Sequence, residues 1–232
     1  MDQCSQNPSL IVPLVESLLL GVQQLAEGVM NPSYYSNMSL LSGNVEYIKV
    51  CQLPGEGEHR FTIHAFHLNF DECVDDVDDI GEEVVHTSQQ WLLPVRSLDG
   101  VWDSLIYEEN LKEKLLRYVG TSLQLSKSGV DSNIIAWNRV VLLHGPPGTG
   151  KTSLCKALAQ KISVRFASQF SSIHLVEINA HSLFSKWFSE SGKLVMNLFA
   201  RIRLLLEDKT SFVCILIGMV MVVIHLYFCS QE

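Results

Sequence analysis

The chain has 232 residues, 17 basic and 25 acidic side chains, and a formal charge of −8. With 47% hydrophobic and 18% charged residues it has material for a packed core, which excludes global disorder. Residues 1–98 hold 14 acids and 3 bases, residues 99–232 hold 11 acids and 14 bases, and no dense basic stripe exists to displace the counterions of a nucleic acid.

That asymmetry predicts two modules meeting near Leu98. The six cysteines (Cys4, Cys51, Cys73, Cys155, Cys214 and Cys229) form no CxxC pair and no metal-knuckle spacing, which fits a reducing compartment such as the cytosol or nucleus. Asp2 replaces the positive n-region of a signal peptide and Glu16 interrupts the apolar run Leu10–Leu20, so no cleaved leader is expected.

Val12–Gly28 places Leu14, Leu18, Val22 and Leu25 at helical spacing. Asn31-Pro32 and Gly43-Asn44 mark turns. Val45–Leu53 and Phe61–Phe70 alternate as strands and together predict a hairpin around Pro54-Gly55-Glu56-Gly57. Asp71–Glu83 carries eight acids in thirteen residues and lacks the glycine and terminal glutamate of a calcium loop, so it reads as a solvated acidic loop. Trp91-Leu92-Leu93-Pro94 closes the first module and Ser97-Leu98-Asp99-Gly100 is the hinge. Asn110–Val119 is an amphipathic helix with Leu111, Leu115 and Val119 on one face, Asn110 as N-cap and Glu113 at the capping-box position.

Arg139–His144 has the length and apolarity of a strand, Gly145-Pro146-Pro147-Gly148-Thr149-Gly150-Lys151-Thr152 follows, and Thr152–Ile162 has helical spacing at Leu154, Leu158 and Ile162. Strand, glycine-rich turn, GK[ST] and helix in that order are what a P-loop requires. Glycines let the backbone close around phosphates without a Cβ in the way, and the helix N-terminus presents N–H groups and positive potential. Lys151 suits the β- and γ-phosphates and the Thr152 hydroxyl suits magnesium. His174–Asn179 is a second strand, Ser191–Glu207 a helix with Leu194, Leu198, Ile202 and Leu205 on one face, and Phe212–Ile217 a buried strand. Composition alone makes Trp187 and Phe188 ordinary core residues.

Leu143–Ala159 and Asn179–Lys193, with Trp102-Asp103-Ser104-Leu105 and Trp137-Asn138-Arg139-Val140-Val141, resemble the AAA+ ATPases of the pachytene checkpoint protein 2 homolog family, the thyroid-receptor-interacting ATPases. GPPGTGKT alone indicates AAA+; His181–Lys193 (HSLFSKWFSESGK) points to this family. The resemblance runs from about Gly100 to Ile217 and is looser at His64–Leu68 and Trp91–Pro94. It implies an α/β fold, an AAA+ P-loop NTPase large subdomain over 99–217, ending at the Walker B strand. A smaller α+β N-terminal domain over 1–98 would precede it, in which 1–44 match poorly, and an apolar tail over 218–232 would follow. It further implies a ring hexamer that binds ATP and Mg2+ at Gly145–Thr152 and remodels HORMA-domain proteins in meiotic synapsis, recombination and checkpoint control, in nucleus and cytoplasm. Lys186-Trp187-Phe188 would be the pore loop gripping substrate, and residues 1–98 would dock adaptor and substrate.

The sequence departs from that family after Ile217. The Walker B Asp-Glu pair is replaced by Gly218-Met219, which removes the magnesium-holding and water-activating carboxylates and implies deficient hydrolysis. The sensor, arginine finger, lid and later strands do not follow. The missing strand belongs between the P-loop and Walker B strands, so a central gap is expected, with unpaired backbone groups and poor stability of 99–232. Phe212–Cys229 is eighteen residues without charge, close to a membrane-spanning length. Three readings of this end stand open: an altered transcript end, a short isoform that binds nucleotide or partners and sequesters them, and a membrane tail anchor.

Overall fold

The computed structural model describes residues 8–22, 26–51, 62–71, 73–80, 83–108, 110–128, 139–180, 191–208, 210–218 and 220–224. Lys186, Trp187, Phe188, Met219 and the end of the tail lie outside them. The chain divides into two compact units between Phe66 and His67.

In the first unit, α1 (Pro8–Gly21) starts earlier than expected and stops at a glycine. Val15, Leu18 and Leu19 bury one face of it with Met30, Tyr35, Leu41 and Ile48. A two-residue strand β1 (Gly28–Val29) pairs antiparallel with β2 (Lys49–Val50), and between them lies the short helix α2 (Ser39–Asn44). The expected hairpin is absent from the described residues. Among the described residues 45–51 only Lys49–Val50 are ladder-paired, 52–61 with the expected turn lie outside the described residues, and 62–70 show an isolated bridge from Asn69 to Val95. Apolar residues on both sides of a segment demand two-sided burial, and packing can supply that without a ladder, as Ile63 does against this core.

The second unit is built on a six-stranded sheet in the spatial order β3 (Val74–Ile80), β4 (Glu83–Leu93), β6 (Ser172–Ile178), β7 (Ser211–Ile217), β8 (Val220–Ile224) and β5 (Val140–Leu142). The acidic tract is not a loop: β3 (Val74–Ile80) pairs antiparallel with β4 (Glu83–Leu93). Its edge position lets carboxylates reach solvent and polar neighbours. Ser88 Oγ donates to Asp76 Oδ2 at 2.7 Å and Gln89 Nε2 donates to Asp75 Oδ1 at 2.9 Å. Charge on an edge strand also discourages further pairing. β4 does not close the first module: Ser88–Leu93 pairs antiparallel with β6 (Ser172–Ile178), so this strand belongs to the second unit and the division lies at 66/67 rather than 98. Contact with the core carries this placement, since Leu93 and Val95 are buried in it and Trp91 packs against it.

After β4 come α3 (Val101–Ser104) and α4 (Leu111–Lys127). Asn110 does not cap α4. Its φ is +69° and its side chain makes no cap bond, so the expected capping box does not form. Leu115, Leu116, Val119 and Leu123 carry the packing of α4 instead. β5 (Val140–Leu142) leads to α5 (Lys151–Phe166), whose Leu154, Cys155, Leu158, Ile162 and Phe166 are all buried. Then follow β6, α6 (Ser191–Leu205) and β7 (Ser211–Ile217). α6 lays Leu194, Leu198 and Ile202 against Val213 and Ile215.

The expected central gap is filled. β8 (Val220–Ile224) follows β7 through Gly218 and Met219 and lies between β7 and β5, antiparallel to both. Gly218 takes φ +56°, the left-handed backbone that a two-residue hairpin connection favours. The apolar run from Phe212 is thus a strand pair as far as Ile224, and among the described residues no helix is long and apolar enough to cross a membrane. The sheet does not end at the Walker B strand.

Two polar features tie β4 to its neighbours. Buried Gln160 of α5 accepts from Val95 N–H at 3.0 Å and donates to Val95 C=O at 3.0 Å. Gln160→Ala leaves the Val95 N–H unpaired, while the Val95 C=O still accepts from Leu98 N–H at 3.3 Å, and about 1–2 kcal/mol of destabilisation in chemical denaturation is expected. Gln90 Nε2 lies 3.1 Å from His174 Nδ1, and burial lowers the His174 pKa, so the neutral ring accepts this bond. The unfolded chain takes up this proton near the ordinary value of 6.5, whereas the folded ring resists it. The contribution is full above that pH and is lost as pH falls through the lower folded value. Thermal melts between about pH 7.5 and about pH 5 should therefore show falling stability, with a shallower fall in His174→Gln.

Candidate functional site

The turn between β5 and α5 holds Gly145–Gly150 of the glycine-rich motif, and Lys151 and Thr152 open α5. Gly148 and Gly150 have φ +79° and +76°, which a Cβ makes costly. Gly150 is also sterically closed: a Cβ there would lie 2.9 Å from Tyr107 Oη and 3.4 Å from Leu105 Cδ2. Thr149 Oγ1 donates to the Pro146 carbonyl at 2.9 Å and keeps the turn folded. Lys151 is the first residue of α5, and its Nζ donates to the carbonyls of Gly145, at 3.0 Å, and Pro146. These neutral partners are ones an ammonium can exchange for phosphate oxygens, whose charge makes stronger bonds. The first-turn N–H groups of a sixteen-residue helix lack intrahelical acceptors and add positive potential at the same point.

Thr152 is exposed and lines a cleft of about 490 Å³ with Asp75, His86, Ser88, Gln89, Glu177, Ile178, Asn179, Ala180 and Gly218. A cradle closed to any Cβ at Gly150, a lysine on its rim and a hydroxyl opening into a cleft fit a magnesium nucleotide. Both cleft carboxylates are engaged: Asp75 accepts from Gln89, and Glu177 lies 2.6 Å from Lys156 Nζ, which also sits 4.7 Å over the Trp91 ring. No group of three potential metal ligands forms among the described residues. Thr152 and phosphate oxygens would hold Mg2+, an ion that binds with few protein ligands and several waters. Gly218, at the end of β7, brings only backbone to this cleft.

Cys155, one turn into α5, is no nucleophile here, because burial pushes its thiol up to about 11. Burial raises Cys214 on β7 as well. Gly145, Pro146, Pro147, Gly148, Thr149, Gly150, Lys151 and Thr152 are all described, in the loop after β5 and the first turn of α5. The structure adds partners that the sequence reading missed. Tyr107, 42 residues before Thr149, donates its hydroxyl to the Thr149 carbonyl at 3.0 Å, and burial raises its pKa so that it stays a donor. Lys112 Nζ donates to the carbonyls of Trp102, at 2.7 Å, and Leu105, at 2.9 Å. No local pattern marks either residue, since both act on segments that only the fold brings near.

Residues 141–217 match the family described as ATPase family associated with various cellular activities (AAA). The chain is 51% identical over 182 residues to pachytene checkpoint protein 2 homolog of Danio rerio, covering 76% of this chain and 43% of that protein. It is 55% identical over 159 residues to the one of Xenopus tropicalis, covering 68% and 37%. A solved structure of C. elegans PCH-2 superposes with a TM-score of 0.69 at 37% identity, over 92% of this chain and 56% of that one. The chain therefore spans less than half the length of these vertebrate relatives. The α/β fold with an AAA region and the likeness to pachytene checkpoint protein 2 homologs both stand.

Gly150→Ala should force Tyr107 aside and place a side chain in left-handed backbone. A loss of about 1–2 kcal/mol is expected in denaturant unfolding.

Proposed function

We propose, from that kinship, that this chain binds ATP with Mg2+ at Gly145–Thr152 and takes part in the remodelling of HORMA-domain proteins that the pachytene checkpoint resemblance implies. The observation that carries the nucleotide half is the β5–loop–α5 geometry, with left-handed Gly148 and Gly150 leading to Lys151 at a helix start. Lys151 holds the β- and γ-phosphates by charge, the loop and helix N–H groups wrap the phosphates, and Thr152 orients the metal. Magnesium neutralises charge on the phosphate oxygens when bound.

Hydrolysis needs a group that polarises the attacking water. Positions 218 and 219 hold glycine and methionine, and neither side chain can do this or hold a metal. The proposed chemistry of this chain is therefore nucleotide binding with slow or absent turnover. That favours a second reading in which the chain binds nucleotide and partners and sequesters them from hydrolysis-competent relatives. Both readings keep the same partners, HORMA-domain proteins and their adaptor, and the same places, nucleus and cytoplasm. Pore-loop contact through Lys186-Trp187-Phe188 and hexamer formation are parts of the first reading only.

Calorimetry with Mg2+-ADP on the purified chain should show binding that falls at least about tenfold in Lys151→Ala, since a charge-assisted contact is lost. Phosphate release from Mg2+-ATP should stay at the buffer rate. Release that depends on magnesium and disappears in Lys151→Ala would sink the reading of deficient hydrolysis. Absence of ADP binding would sink the nucleotide reading altogether.

A further inference from the structure

We propose that Tyr107 is a positioning residue of the nucleotide site, the free end of a strap formed by Trp102–Tyr107 that sets the shape of the phosphate loop. The proposal rests on the nucleotide reading above.

A trans peptide is planar, so its C=O and N–H point in opposite directions. By donating to the Thr149 carbonyl at 3.0 Å, Tyr107 fixes the Thr149–Gly150 peptide. The Gly150 N–H is thereby turned away from Tyr107, to the side where phosphate oxygens are to be held. The next torsion is equally constrained, because Gly150 adopts φ +76° and the Tyr107 hydroxyl occupies the space a Cβ would need. One hydroxyl thus bears on two consecutive units of the loop, through a hydrogen bond to the first and by leaving no room for a side chain on the second.

The strap is anchored at its other end. Lys112 on α4 donates to the carbonyls of Trp102 and Leu105 and lies 5.4 Å over the Trp102 ring. α3, at the start of the strap, packs against α5. The loop is consequently braced from α4 through Lys112, along the strap, to Tyr107. Without the brace, the Thr149 peptide is free to rotate and must be ordered when phosphate binds.

The test titrates Mg2+-ADP and, separately, inorganic pyrophosphate into the wild-type chain, Tyr107→Phe and Lys112→Met by calorimetry, with melting of each ligand-free protein. Tyr107→Phe keeps the ring and removes one neutral hydrogen bond. The expected result is a dissociation constant raised about 3–10-fold for ADP, with the ligand-free melting temperature unchanged. Pyrophosphate should lose the same factor, because the effect is on the phosphate loop. Lys112→Met should weaken both ligands in the same direction. Equal ADP affinity in wild type and Tyr107→Phe overturns the proposal, as does weakened binding that only tracks a lower melting temperature. A wild-type chain that binds no ADP removes the nucleotide reading itself, an outcome separable from failure of the strap alone.

Discussion

A strand in the middle of a buried sheet must be paired on both edges, since an unpaired backbone N–H or C=O away from water costs about as much as a lost hydrogen bond. In this chain that constraint falls on β7, whose residues Ser211–Leu216 are all buried. One edge is satisfied by β6 in parallel, and the other by β8, which also carries β5. The position of β5 decides where the glycine-rich loop begins. A segment with no motif of its own, Val220–Ile224, therefore supports the most recognisable motif in the chain.

The same helix that follows the loop is held from the other side. Gln160 of α5 grips the backbone of Val95, and Lys156 reaches both Glu177 on β6 and the Trp91 ring on β4. β4 thereby becomes part of the sheet that surrounds the site, and the β3–β4 pair supplies Asp75, His86, Ser88 and Gln89 to the cleft beside Thr152. The acidic tract is placed there by its pairing with β4, whatever its charge contributes to partners.

Phosphate binding and water activation come from different parts of such a site. In the proposed function, binding uses backbone N–H groups, a lysine and a hydroxyl, all contributed by one continuous stretch, Gly145–Thr152. On the same proposal, activation would need a carboxylate at the end of β7, where this chain has Gly218-Met219. The glycine suits the tight connection to β8, since its φ of +56° is one that side chains rarely adopt. In the proposed function, the connection that lets the sheet close, Gly218-Met219, is also the stretch that holds neither the metal-holding nor the water-activating carboxylate.

The sequence by itself determined the local units. Strand, glycine loop and helix could be read over Arg139–Ile162, as could the buried stripe of α6 and the continuous apolar run of β7, because spacing and backbone freedom are properties of neighbouring residues. The likeness to the pachytene checkpoint family was also legible, in Leu143–Ala159 and Asn179–Lys193. Only the tertiary structure decided that Asp71–Glu83 contains an edge strand, that Trp91–Pro94 belongs with the second unit, that Asn110 fails to cap α4, and that the tail enters the sheet. Two of these turn on a partner distant in sequence, β6 for Trp91 and β5 for the tail, and the acids are drawn into the sheet by β4, which is itself placed by β6. Tyr107 and Thr149 show the same limit, since their hydrogen bond spans 42 residues and no local periodicity encodes it.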